Sequence, residues 1–166
     1  VVLQYANQSA RLYGVDLSGH LPLAEGGWGR WSLEGVVNVT DGKNRSTGDA
    51  LYNIMPLNAR LTLAHKTGAW DNGIEFVAVA AKDELSAARN EIRTAGYGLV
   101  NLRASRQWKQ LRVDFGVDNL LDRLYTLPLG GAYVGQGRTM SMNGVPWGTA
   151  VPGMGRSVHV AASYGF

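Results

Sequence analysis

The chain holds 166 residues, with 22 glycines, 17% charged residues, no cysteine and a formal net charge of +3. So small and scattered a charge is no nucleic-acid footprint. The lack of cysteine excludes a disulfide scaffold, a thiolate metal site and a cysteine nucleophile. No apolar run approaches the roughly 18 residues of a transmembrane helix.

Period-2 alternation, broken by turn clusters, predicts about seven strands and almost no helix. The first strand is expected from about Tyr5 to Leu21, stopping at Pro22, and the second over Trp28–Val39. The third is expected over Ile54–His65, entered through Pro56, and the fourth over Gly73–Ala81. The fifth covers Thr94–Arg106, the sixth Leu111–Leu120 and the last Gly155–Phe166. The charged stretch Asp83–Ile92 reads as loop. Connections Leu23–Gly27, Lys66–Asn72 and Gln107–Gln110 are short, whereas Thr40–Asn53, Lys82–Arg93 and Leu121–Met154 are long. Short turns at one end and long loops at the other are the pattern of an outer-membrane barrel.

Successive side chains of a strand point to opposite faces. One face carries Tyr13, Val15, Leu17 and Leu21 on the first strand, Trp31, Leu33, Val37 and Val39 on the second, and Leu57, Leu61 and Leu63 on the third. Val100 and Leu102, then Leu111, Val113, Phe115 and Val117, then Val158, Val160, Tyr164 and Phe166 continue it. The fourth strand is the weakest, because Ile74, Phe76 and Ala78 oppose Val77 and Val79 as well as Glu75. That apolar face is expected to be free of charge, as hydrocarbon demands. The opposite face, with Asp16, Arg30, Glu34, Arg60, Arg103, Arg112 and Asp114, would line a wet lumen. A soluble sandwich hiding the apolar faces in a core is the competing arrangement. Against it, the apolar face is light, with Gly19, Gly35, Ala59, Ala78 and Ala104, where a core wants volume. Trp28, Trp31, Trp70 and Trp108 fall at the short turns and Tyr5, Tyr52, Tyr97 and Tyr125 toward the long loops, as two interfacial belts would.

The segment from Gly116 to Tyr125, Gly-Val-Asp-Asn-Leu-Leu-Asp-Arg-Leu-Tyr, resembles the box of TonB-dependent outer-membrane receptors, with Leu121 for the common aromatic. Gly155-Arg156-Ser157 and the alternating run to Phe166 resemble that family's last strand. Tyr13-Gly14-Val15-Asp16 and the Leu51 to Pro56 spacing are similar to further family motifs. The resemblance implies a fold: the C-terminal segment of a 22-stranded transmembrane β-barrel, an all-β antiparallel up-and-down meander. Residues 1–166 would then be one part of that barrel, with the plug and earlier strands absent; the start at Val1 rather than Met agrees with a mature form or a piece of a longer protein. The resemblance also implies an outer-membrane location and uptake of a metal or metal chelate, siderophore-type or copper. It further implies energy drawn from TonB through the absent N-terminal region. Tyr164 and terminal Phe166 look like the signal read by the outer-membrane assembly machinery. A passive porin and a soluble β-sandwich binding module remain the alternatives.

No catalytic motif is present, so neither an enzyme nor a cofactor is expected. His20, His65 and His159 show no ligand spacing and read as wall residues; Asp114 and Asp118 are expected to pair with Arg103 or Arg112. Met140, Met142 and Met154 sit in the longest loop. Thioethers suit Cu(I), which makes the three methionines candidate copper ligands, with packing inside a folded loop as the plainer role.

Overall fold

The computed structural model describes residues 7–133 and 148–165. Their strands are β1 Ala10–Gly26, β2 Gly29–Asn44, β3 Asn58–Thr67, β4 Trp70–Val79, β5 Tyr97–Trp108, β6 Leu111–Asp118, β7 Ala132–Tyr133, β8 Thr149–Ala150 and β9 Ser157–Tyr164. Seven of them form a single antiparallel sheet in the order β1-β2-β3-β4-β5-β6-β9. The short β7 and β8 pair within the last long connection. A single 3-10 turn, Ala87–Arg89, is the one helical element among the described residues. Every long strand pairs with its successor, so the sheet is an up-and-down meander with open edges at β1 and β9.

The strand ends differ from expectation for identifiable reasons. β1 continues through Pro22 to Gly26. The ladder slips one residue there, pairing Pro22 with Ser32 and Ala24 with Trp31, and such a bulge tolerates the missing N–H of proline. β2 runs past Val39 to Asn44, carrying Asp41 and Lys43 with it. β3 begins only at Asn58, whose side-chain amide donates to the Pro56 carbonyl at 3.0 Å. The three short turns tighten to two residues, with Gly68 and Lys109 in the left-handed region at φ 56° and 50°.

The predicted faces hold across the whole sheet. Leu17 lies opposite Val37, Leu61 lies between Gly35 and Phe76, and Phe115 lies between Ala104 and Val160. No described residue covers this face: Leu17 is 69% exposed, Phe76 47% and Phe115 43%. Val79 is the only buried hydrophobic residue among those described, and its register places it on the other face. A soluble sandwich needs a second layer over these side chains, and the described residues supply none. An exposed apolar surface spanning seven strands requires another apolar medium.

The apolar face is not wholly free of charge, contrary to expectation. Arg11, Asp41 and Lys43 share it at the long-loop margin, where Tyr13 donates a hydrogen bond to Asp41. Arg106 lies on it at the short-turn margin, between Trp70 and Val113. These charges sit at the two edges of the apolar band, where long side chains reach polar surroundings.

Candidate functional site

The polar face is a ladder of paired charges. Asp16 accepts from the Asn38 amide, and His20 Nδ1 lies 3.6 Å from Glu34 Oε1. Arg30 faces Glu25 at 3.7 Å. Arg60 Nε sits 3.3 Å from Glu75 Oε2, while Glu75 Oε1 accepts from Asn101 at 2.7 Å. Asp118 joins Arg103 to His159, the latter at 3.4 Å. Arg112 donates to Asp114 at 2.8 Å and to Ser105 Oγ at 2.9 Å. All seven residues assigned to a lumen face therefore share one face, and Asp114 and Asp118 find the arginines expected. Most members are half-exposed, so each pair contributes little to stability on its own. Together they make a wettable, conformationally fixed wall.

A second cluster lies at the long-loop end, joining the β2–β3 and β4–β5 loops. Lys82 Nζ donates to the Ile54 carbonyl at 2.6 Å and pairs with Glu91 at 3.4 Å, with side chains only 3% and 8% exposed. The other Glu91 oxygen accepts from the Ser86 amide at 2.8 Å. Asp49, from the other loop, caps the Ala87–Arg89 turn by accepting from the amides of Ala87 and Ala88, both at 3.2 Å. Those two amide bonds hold its carboxyl below the usual carboxylate range. Tyr52, Lys82, Arg89, Asn90 and Glu91 line a cavity of about 180 Å³ here, together with Leu127 to Leu129 of the last loop. Sequence reasoning placed residues 83–92 in a loop but missed this clamp.

The family-like box gains a physical role. Asn119, only 2% exposed, sits at φ 49° just past β6. Its side-chain carbonyl accepts from the Arg123 amide at 2.9 Å, and its side-chain amide donates to the carbonyls of Arg123 and Met154. Asp122 accepts from the Arg156 amide at 2.9 Å, tying the start of the last loop to the entry of β9. Tyr125 packs at a tilt against Tyr97, with ring centroids 4.5 Å apart. It also covers Gly153 so closely that a Cβ there would lie 2.1 Å from its ring. The box is a knot that closes the long last loop at its base.

Met154 is 72% exposed beside this knot. Met140, Met142 and Phe166 lie outside the described residues, as does Tyr5. Tyr164 donates to Gln110 at 3.0 Å, fixing the end of β9 against the β5–β6 turn. His65 stacks on Trp31 at 4.0 Å, on the apolar face near the short turns. Among the described residues no group of three His, Cys, Asp or Glu side chains is placed to hold a metal ion.

An open meander with a bare apolar face, an ion-paired polar face, two-residue turns at one end and long knitted loops at the other is a section of transmembrane barrel wall. Comparison with known proteins gives the family. The model for the TonB dependent receptor-like β-barrel matches residues 1–120, and the chain belongs to that family, whose place is the outer membrane. Heme/hemopexin utilization protein C of Haemophilus influenzae is 31% identical over 157 residues, covering 86% of this chain and 20% of that protein. The copper transporter OprC superposes with a TM-score of 0.83 at 27% identity, covering 96% of this chain and 24% of its own. The ferric yersiniabactin uptake receptor FyuA of Yersinia pestis shares the fold, with a TM-score of 0.69 at 19% identity over 95% of this chain and 24% of that one. The chain thus spans about a fifth to a quarter of these relatives' lengths.

Proposed function

We propose that these residues are the C-terminal part of an outer-membrane transporter that takes up a metal or metal chelate. The observation that carries this reading is the two-faced sheet of a TonB-dependent receptor barrel, bare and apolar on one side and ion-paired on the other. In the intact protein the polar face lines the lumen, presenting Asp16, Arg30, Glu34, Arg60, Arg103, Arg112 and Asp114 to a plug outside this chain. The long loops capture cargo, and TonB, acting through the absent N-terminal region, supplies the work. Tyr164 and Phe166 serve as the signal to the assembly machinery. Copper is the preferred cargo, supported by the likeness to OprC and by the three thioethers of the last loop, Met140, Met142 and Met154. Heme is the second reading, supported by the Haemophilus relative.

The test is uptake of copper, heme and a ferric siderophore by cells carrying the full-length receptor, with and without TonB. We expect copper accumulation that vanishes without TonB and falls when all three methionines become leucine. Unchanged copper uptake in that triple variant removes the methionine site. Uptake that persists without TonB identifies a passive pore instead.

A further inference from the structure

Arg106 stands out on the apolar face. Its guanidinium carbon lies 5.1 Å from the Trp70 ring centroid and 4.6 Å from that of Trp108. Its Nε is shut away from solvent and meets no acceptor among the described residues. A desolvated charged donor without an acceptor is costly, and the two indoles offer the charge their ring faces but no oxygen acceptor. The next residue on this face toward the middle of the sheet is the small Ala104, paired with Asn72. A groove of about 540 Å³ opens there, walled by Trp31, Ile74, Leu102, Phe115 and Val158.

A cation missing an acceptor, set at the end of an apolar trough, matches the two halves of a phospholipid. The short turns mark the periplasmic side of a barrel, and Arg106 is three residues before Lys109 of the Lys109–Gln110 turn. We propose that this face carries a specific site for one anionic phospholipid of the periplasmic leaflet. The phosphodiester accepts from Arg106, between Trp70 and Trp108, and an acyl chain lies in the trough over Ala104. The site rests on the membrane-facing assignment alone and is independent of the cargo.

Native mass spectrometry of the full-length receptor in detergent, titrated with phosphatidylglycerol or phosphatidylcholine, tests this. Wild type should retain phosphatidylglycerol preferentially, and Arg106→Gln should lower that retention about fivefold, the effect of one cation near a lipid surface. Lys109→Gln, which alters an exposed turn cation without the trough, should leave it unchanged. Ala104→Phe, filling the trough and keeping the charge, should also release the lipid. Retention unaltered in Arg106→Gln, or lowered equally in Lys109→Gln, overturns the site. So does equal retention of phosphatidylcholine by the wild type. If Arg106→Gln fails to insert, Ala104→Phe decides: loss of retention supports the site and full retention overturns it. Cargo uptake, measured in parallel, reports separately on the transport reading.

Discussion

Lys82 and Glu91 show what a single buried pair does for the loops. Both side chains are almost wholly covered, and each also bonds to backbone, Lys82 to Ile54 and Glu91 to Ser86. Removing one partner leaves the other charge buried and unpaired, which costs about 3–5 kcal/mol. Lys82→Met in the full-length receptor should therefore open the β2–β3 and β4–β5 loops to limited proteolysis while the barrel stays inserted. Pairing it with Glu91→Leu should restore most of the resistance, because no unpaired charge remains. Equal protease resistance in wild type and Lys82→Met contradicts the clamp. None of this was legible in the sequence. Lys82 and Glu91 are nine positions apart in a segment with no periodicity, and they meet because Asn90 turns at φ 52° and Asp49 caps the turn from another loop. That most charged side chains of the strands share one face was legible, since alternation along each strand fixes their side.

At the scale of the element, period-2 alternation sets parity, and parity sets the face; that much survives from sequence to sheet without correction. Strand ends do not, because neighbours decide them. Pro22 would end a regular strand but is absorbed at a bulge, where the ladder slips by one residue. Asp41 and Lys43 extend β2 beyond the apolar band, and Arg106 is accommodated by two indoles, Trp108 two positions on along its own strand and Trp70 across the ladder. The faces themselves give a sharp contrast between adjacent positions of β3. Leu61 sits between Gly35 and Phe76, so Leu61→Arg places a charge against hydrocarbon at about 2–4 kcal/mol. Thr62 sits between Glu34 and Glu75, so Thr62→Arg gains two carboxylate neighbours. Heat-modifiability on gels of the full-length receptor should show folding impaired by the first and preserved by the second. Equal behaviour of the two contradicts the assignment of faces.

For the whole molecule, the described residues form one curtain of seven strands with nothing stacked on it and both edges unpaired. Bacterial single-chain barrels close with an even number of strands, which agrees with a chain that spans only 20% of its curated relative. Its stability is inseparable from the neighbours and the bilayer that cover its edges and its apolar side. The central claim is that this side touches lipid. Spin labels on cysteines introduced in turn at Leu17, Val37, Leu61 and Phe115, and at Ser18, Glu34, Thr62 and Asp114, in the full-length receptor reconstituted into bilayers, test it most directly. The account predicts that the first set is relaxed by dissolved oxygen and shielded from a water-soluble nickel chelate, with the second set the reverse; matching accessibility in the two sets, or the opposite pattern, contradicts it.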